Sequence, residues 1–162
     1  MKILYSFILL SGLLSLVACK PATTIYLVRH AEKADSSRDP DLSEAGRLRA
    51  TRLADLLKDE KISLIYSTNY KRTIQTATPL SEITGKPILF YSPDTLPALV
   101  KGLKQQHQHA LVVGHSNTTI SMLDAFGVSF SGKKIEETDY SNLFKITAYP
   151  NNRKVKLKEL KF

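Results

Sequence analysis

The chain has 162 residues, 43% of them apolar, and carries 23 basic against 15 acidic side chains, a formal charge of +8. That length suits one domain able to bury roughly two-thirds of its unfolded surface. A charged fraction of 23%, seven tyrosines and six phenylalanines exclude wholesale disorder, and seven glycines with seven prolines exclude a collagen or a linker array. The single cysteine, Cys19, excludes an intrachain disulfide framework and a cysteine-cluster zinc site.

Met1-Lys2 makes a short basic start, and Ile3 to Val17 is apolar apart from small polar residues such as Ser6, Ser11 and Ser15. The run is shorter than the ~20 residues of a comfortable membrane span and has the length of a signal-peptide core. It ends in Leu16-Val17-Ala18-Cys19, which resembles the bacterial lipobox, where the cleaved chain begins at a lipid-bearing cysteine. The expectation is a signal peptide over 1–18, lipidation at Cys19 and a single domain over 19–162. Two or more acyl chains give stable attachment. The expected setting is therefore the bacterial cell envelope, as a membrane lipoprotein facing the periplasm or the exterior.

Thr23 to Val28 is a nearly continuous β-branched and apolar run, as in a strand covered on both faces. The polar stretch from Asp35 to Pro40 reads as a loop, and Ser43 as the N-cap of a helix running to about Lys58. Leu64 to Tyr66 reads as a second strand. Tyr70 to Thr84 is helical, with Pro79 either kinking it or restarting it on a Thr78 cap. Gly85 and Pro87 end that helix before a third strand at Ile88 to Tyr91. Pro97 to Gln106 reads as a helix, Ala110 to Val113 as a buried strand, and Asn117 to Ala125 as a helix stopped near Gly127. Asn142 to Tyr149 and Lys154 to Phe162 alternate like a hairpin about Pro150-Asn151-Asn152. In the last strand Val155 and Leu157 are out of phase with Leu160 and Phe162, which predicts a bulge near Glu159.

Strands alternating with helices predict a three-layer α/β fold. Its sheet is doubly wound and mainly parallel, with helices on both faces and an antiparallel C-terminal edge hairpin. Ligands of such sheets sit beyond the carboxyl ends of the strands. The residues there are Arg29-His30, Ser67 to Arg72, and Gly114-His115-Ser116-Asn117. Two arginines, two histidines and a helix N-terminus in one crevice read as an anion site, because a guanidinium fork and helix N–H groups both suit phosphate oxygens. The sequence has no glycine-rich phosphate loop and no metal-ligand set, which leaves nucleophilic histidine chemistry: a neutral imidazole attacks phosphorus and water later hydrolyses the phosphohistidine.

Four segments, in order, carry a family resemblance. Leu27-Val28-Arg29-His30-Ala31-Glu32 resembles the Arg-His-Gly signature of the histidine phosphatase superfamily, the phosphoglycerate-mutase-like fold. Leu42-Ser43-Glu44-Ala45-Gly46 resembles its "L(S/T)xxG" helix start, and Tyr66-Ser67-Thr68 with Arg72-Thr73-Ile74-Gln75-Thr76-Ala77 its "SxxxRxxQTA" segment. Val112-Val113-Gly114-His115-Ser116-Asn117-Thr118 resembles its second histidine motif. The resemblance implies His30 as nucleophile, with Arg29, Arg72 and His115 binding the phosphoryl group and Asn117, or the backbone at the helix start beside it, assisting. It also implies a proton donor after the third strand, where Asp94 is the best candidate and Glu32 and Glu82 follow. Ala31 stands where the family commonly has glycine, and the short chain lacks the insertions that shape a mutase pocket.

His107 and His109 read as solvent-facing rather than as metal ligands, and Glu136, Glu137 and Asp139 as a solvated turn. The C-terminal lysines alternate with apolar residues, as in a protected edge strand, so nucleic acid is not an expected partner. The resulting expectation is a metal-independent, cofactor-free histidine phosphatase acting on a small phosphorylated substrate, a phosphomonoester or phosphoramidate, and anchored to the membrane by lipid. A non-catalytic phosphate-binding or phosphoprotein-docking lipoprotein stands as the alternative, and a cytoplasmic phosphohistidine phosphatase as a third reading.

Overall fold

The computed structural model describes residues 21–132, 134–150 and 154–162; the leader and Cys19, and the turn residues Asn151 and Asn152, lie outside these. Six strands form one sheet in the order β3-β2-β4-β1-β5-β6. They are β1 (Thr23–Arg29), β2 (Leu64–Ser67), β3 (Ile88–Phe90), β4 (Ala110–Gly114), β5 (Asn142–Ala148) and β6 (Val155–Lys161). β1 and β2 flank β4 in parallel, and β3 extends the parallel run from β2. β5 is antiparallel to β1, and β6 to β5. The expected α/β sheet with its antiparallel edge hairpin is the observed one.

Helices α1 (Glu44–Leu57) and α2 (Lys71–Thr84) cover one face, and α3 (Leu96–Gln106) and α4 (Ser116–Phe126) the other. The strands supply both cores because successive side chains alternate between faces. Ile25, Leu27, Val112, Phe144 and Ile146 pack against Val100, Leu103, Met122, Leu123 and Phe126. Tyr26, Val28, Ile65, Leu111 and Leu143 pack against Leu53, Leu57, Ala77 and Leu80. This two-sided burial explains why β1 and β4 read as continuous apolar runs.

Three local expectations are corrected. β6 pairs with β5 in unbroken register from Val155 opposite Ala148 to Lys161 opposite Asn142, with no bulge at Glu159. Its two out-of-phase apolar pairs instead serve opposite faces: Val155 and Leu157 join the α3/α4 core, Leu160 and Phe162 the α1/α2 core. α2 runs continuously through Pro79, and Thr78 does not cap a new helix; its hydroxyl donates back to the Ile74 carbonyl at 2.9 Å. His109 is not simply solvent-facing, because its Nδ1 accepts the Thr24 amide at 3.1 Å and so ties the start of β1 to the loop before β4.

Candidate active site

The strand order puts β4 between β1 and β2, so the chain leaving each of these three carboxyl ends enters one crevice. His30 follows β1, is 4% exposed, and donates its amide to the Gly114 carbonyl at 2.9 Å. Its Nδ1 lies 2.8 Å from the Ala31 carbonyl oxygen, which can only accept, so Nδ1 carries the proton and the Nε2 lone pair is left free. The Ala31 amide in turn donates to Thr76 Oγ1 at 3.0 Å, fixing the turn against α2.

His115 follows β4 as the N-cap residue of α4, with its backbone N–H donating to Thr118 Oγ1 at 2.7 Å. Gly114 permits this turn: a Cβ there would meet Thr118 Oγ1 at 2.5 Å and the Tyr91 hydroxyl at 2.6 Å. The ring is oriented by a hydroxyl relay. Thr73 Oγ1 donates to the Thr68 carbonyl at 2.8 Å, and Thr68 Oγ1 donates to Thr73 Oγ1 at 3.0 Å. The 3.1 Å contact between Thr68 Oγ1 and His115 Nε2 is therefore an Nε2–H donating to the hydroxyl. His115 Nδ1 is left as an acceptor 3.4 Å from Arg72 Nη2.

The rings of His30 and His115 meet edge to face, with centroids 5.5 Å apart. Arg72 stacks on Tyr70 at 4.6 Å and Arg29 on Tyr140 at 4.5 Å. Tyr70 also meets His115 edge-on at 5.1 Å, and Tyr140 lies 6.0 Å from His30. The four residues expected in one crevice thus do share it. Arg29 Nε, Arg72 Nε and Arg72 Nη1 are buried without a hydrogen-bond partner among the described residues. Buried guanidinium donors left unpaired are unfavourable, and an anion in the bowl would satisfy them.

Both imidazoles are held neutral. Burial pulls His30 down to about 3, with the charges of Arg29, His115 and Arg72 adding to it against the Ala31 hydrogen bond. Burial, then Arg72 and Arg29, pulls His115 down to about 4. A neutral, tautomerically fixed imidazole beside two guanidiniums is what nucleophilic attack on phosphorus requires.

The two other expected residues, Asp94 and Asn117, are exposed. Asp94 sits in an exposed 3-10 turn, Pro93–Thr95, where its carboxylate meets the Ser92 hydroxyl at 3.4 Å. Asn117 is exposed on the second position of α4 and lines a cavity of about 380 Å³ with Ser116, Ile120, Ser121, Lys134 and Ile135. Glu136 and Glu137 are exposed, as a solvated turn requires, but they also hold Arg29. Arg29 Nη1 donates to both their carbonyls, and Glu137 Oε2 lies 2.7 Å from Arg29 Nη2. Glu137 and Tyr140 were missed, with no signal in the sequence; Thr68 and Tyr70 lie in the Ser67 to Arg72 stretch expected at the crevice but were given no role of their own.

Residues 25–92 match the family model described as "Histidine phosphatase superfamily (branch 1)". Over 72 residues the chain is 42% identical to phosphoserine phosphatase 1 of Hydrogenobacter thermophilus, a match covering 40% of this chain and 34% of that one. The match spans about a third of the length of the curated relatives. A solved structure assigned as phosphohistidine phosphatase SixA from Agrobacterium tumefaciens superposes with TM-score 0.68 at 24% identity, over 86% of this chain and 98% of that one. A structure of the protein histidine phosphatase SixA with tungstate gives 0.67 at 16% identity, over 85% and 96%. These likenesses show the fold, an α/β sandwich. Over residues 25–92 the chain is similar to the histidine phosphatase superfamily, and its fold is that of the solved structures named above.

Proposed function

We propose that the protein is a phosphatase that hydrolyses phosphomonoesters or phosphoramidates through a phosphohistidine at His30, with no metal ion or cofactor. The observation carrying this reading is the Nδ1–H bond from His30 to the Ala31 carbonyl, which directs the Nε2 lone pair away from that carbonyl. Nε2 attacks phosphorus, the bond to the leaving group breaks, and the electron pair departs with that group. Water then attacks the phosphohistidine, the P–N bond breaks, and phosphate and neutral imidazole are regenerated. Arg29 and Arg72 stabilise charge on the equatorial oxygens, His115 positions Arg72 beside the phosphoryl group through its Nδ1, and Asn117 at the helix start assists; such preorganised donors supply most of the rate enhancement in phosphoryl transfer.

Asp94 remains the candidate proton donor for alkoxide leaving groups, but its carboxylate is exposed and turned to Ser92. The preferred substrates are accordingly those whose leaving group departs with little protonation, an aryl oxide or a phosphoramidate nitrogen. The phosphoserine phosphatase relative supports a monoester and the SixA structures a phosphohistidine substrate. Envelope attachment through Cys19 belongs to the same proposal and rests on Leu16-Val17-Ala18-Cys19. Hydrolysis of p-nitrophenyl phosphate with EDTA present tests the enzyme: wild type turns over and His30→Ala does not. Phosphate binding without turnover by wild type would favour a non-catalytic binding lipoprotein.

A further inference from the structure

Each arginine of the bowl has a carboxylate from one of the two long loops at its outer end. Glu137 Oε2 lies 2.7 Å from Arg29 Nη2, and its Oε1 accepts from the Ser116 hydroxyl at 3.1 Å. Asp39 Oδ1 lies 3.6 Å from Arg72 Nη1 and accepts the Lys71 amide at 2.9 Å. Ser116 and Lys71 are the first residues of α4 and α2. Both carboxylates therefore stand where an arginine meets a helix N-terminus, the arrangement that favours an anion.

The two partners of each pair differ in burial. Arg29 and Arg72 side chains are 2% and 14% exposed, whereas Glu137 and Asp39 are 76% and 41% exposed. Arg29 is held without the carboxylate, by Nη1 donating to the Glu136 and Glu137 carbonyls at 2.9 and 3.0 Å and by the Tyr140 face. The Glu137 carboxylate is thus not needed to aim the guanidinium, and its exposure leaves it room to turn out into water when an anion takes its place.

We propose that Glu137, with Asp39 in a lesser role, is an internal counter-ion that competes with the phosphoryl group for the arginines and so sets the affinity of the site for anions. This rests on the reading of the bowl as a phosphate site. A doubly cationic bowl with no carboxylate of its own would retain phosphate product; a carboxylate that returns to Arg29 favours its release.

The test is isothermal titration of the protein with inorganic phosphate at pH 7.5, on wild type, Glu137→Gln and Asp39→Asn. Glu137→Gln is expected to lower Kd about tenfold and Asp39→Asn about threefold, the direct contact having the larger effect. Glu137→Ala must shift Kd in the same direction. Unchanged or weaker binding by Glu137→Gln, with wild type binding phosphate, overturns this inference alone. Absence of binding by wild type and variants alike overturns the phosphate site itself, and the inference with it.

Discussion

The carbonyl oxygen of Ala31 lies 2.8 Å from Nδ1 of its neighbour His30, and that one contact decides which nitrogen of the ring can react. A carbonyl has no proton to give, so Nδ1 must be the protonated nitrogen and Nε2 the one left with a free lone pair. His115 is set the opposite way round. Thr68, whose own proton is committed to Thr73, obliges Nε2 to donate and leaves Nδ1 towards Arg72. The two imidazoles thus present different nitrogens, as different roles require.

The relay at Thr68 is testable. Thr68→Val removes the acceptor for His115 Nε2–H while keeping the volume, leaving a buried N–H without its partner. The expected result is a fall of about tenfold in kcat/KM for p-nitrophenyl phosphate, with Tm shifted only modestly. An unchanged kcat/KM would mean that the hydroxyl does not orient the ring.

Stability should depend on pH in a definite window. His30 and His115 have folded values of about 3 and about 4 against an ordinary 6.5. Between those limits the unfolded chain binds protons that the native chain refuses, so stability falls as pH drops from about 6.5 towards 4. Thermal melts from pH 7.5 to 4.8 check this. The window lies above the ordinary carboxylate values, so Glu32, Glu60 and Asp139, all held below them, contribute later in the titration. His30→Asn should flatten the slope; an equal slope in wild type and variant would contradict the assignment.

The start of α1 is fitted to the loop that follows His30. A Cβ on Gly46 would overlap the Glu32 carbonyl oxygen and stand 3.0 Å from the Glu32 amide nitrogen, all backbone that cannot yield. Gly46→Ala should therefore cost about 2 kcal/mol or more in urea unfolding and lower activity by displacing the loop. A variant as stable and active as wild type would show that α1 can move freely against this loop.

These examples show what a sequence can reveal. The buried strands were legible because Ile25 to Val28 and Ala110 to Val113 face two cores and have no polar alternation. Arg29, His30, Arg72 and His115 were legible because a parallel sheet must bring the ends of β1, β2 and β4 together. Glu137 was not, because it reaches Arg29 across 108 residues through an irregular loop with no periodicity to read. The continuous β6 was misread for a different reason: one period-2 pattern was assumed where the strand feeds both faces.

Substrate preference should follow from where the carboxylates are. Asp94 is turned to Ser92, and Glu137, although partial burial opposes it, is kept ionised by Arg29 and Ser116. With neither poised to donate a proton, kcat/KM for p-nitrophenyl phosphate should exceed that for glycerol phosphate by about 100-fold or more. Equal values would require an efficient acid, and Asp94→Asn would then identify or exclude it.

The most direct measurement is to quench the enzyme during turnover at alkaline pH and locate the phosphoryl group by mass spectrometry and ³¹P NMR. The expected product is an acid-labile phosphohistidine at residue 30, bonded through Nε2 and absent from His30→Ala. Phosphate on Nδ1 of His30, on His115, or on neither histidine while turnover proceeds would contradict the account.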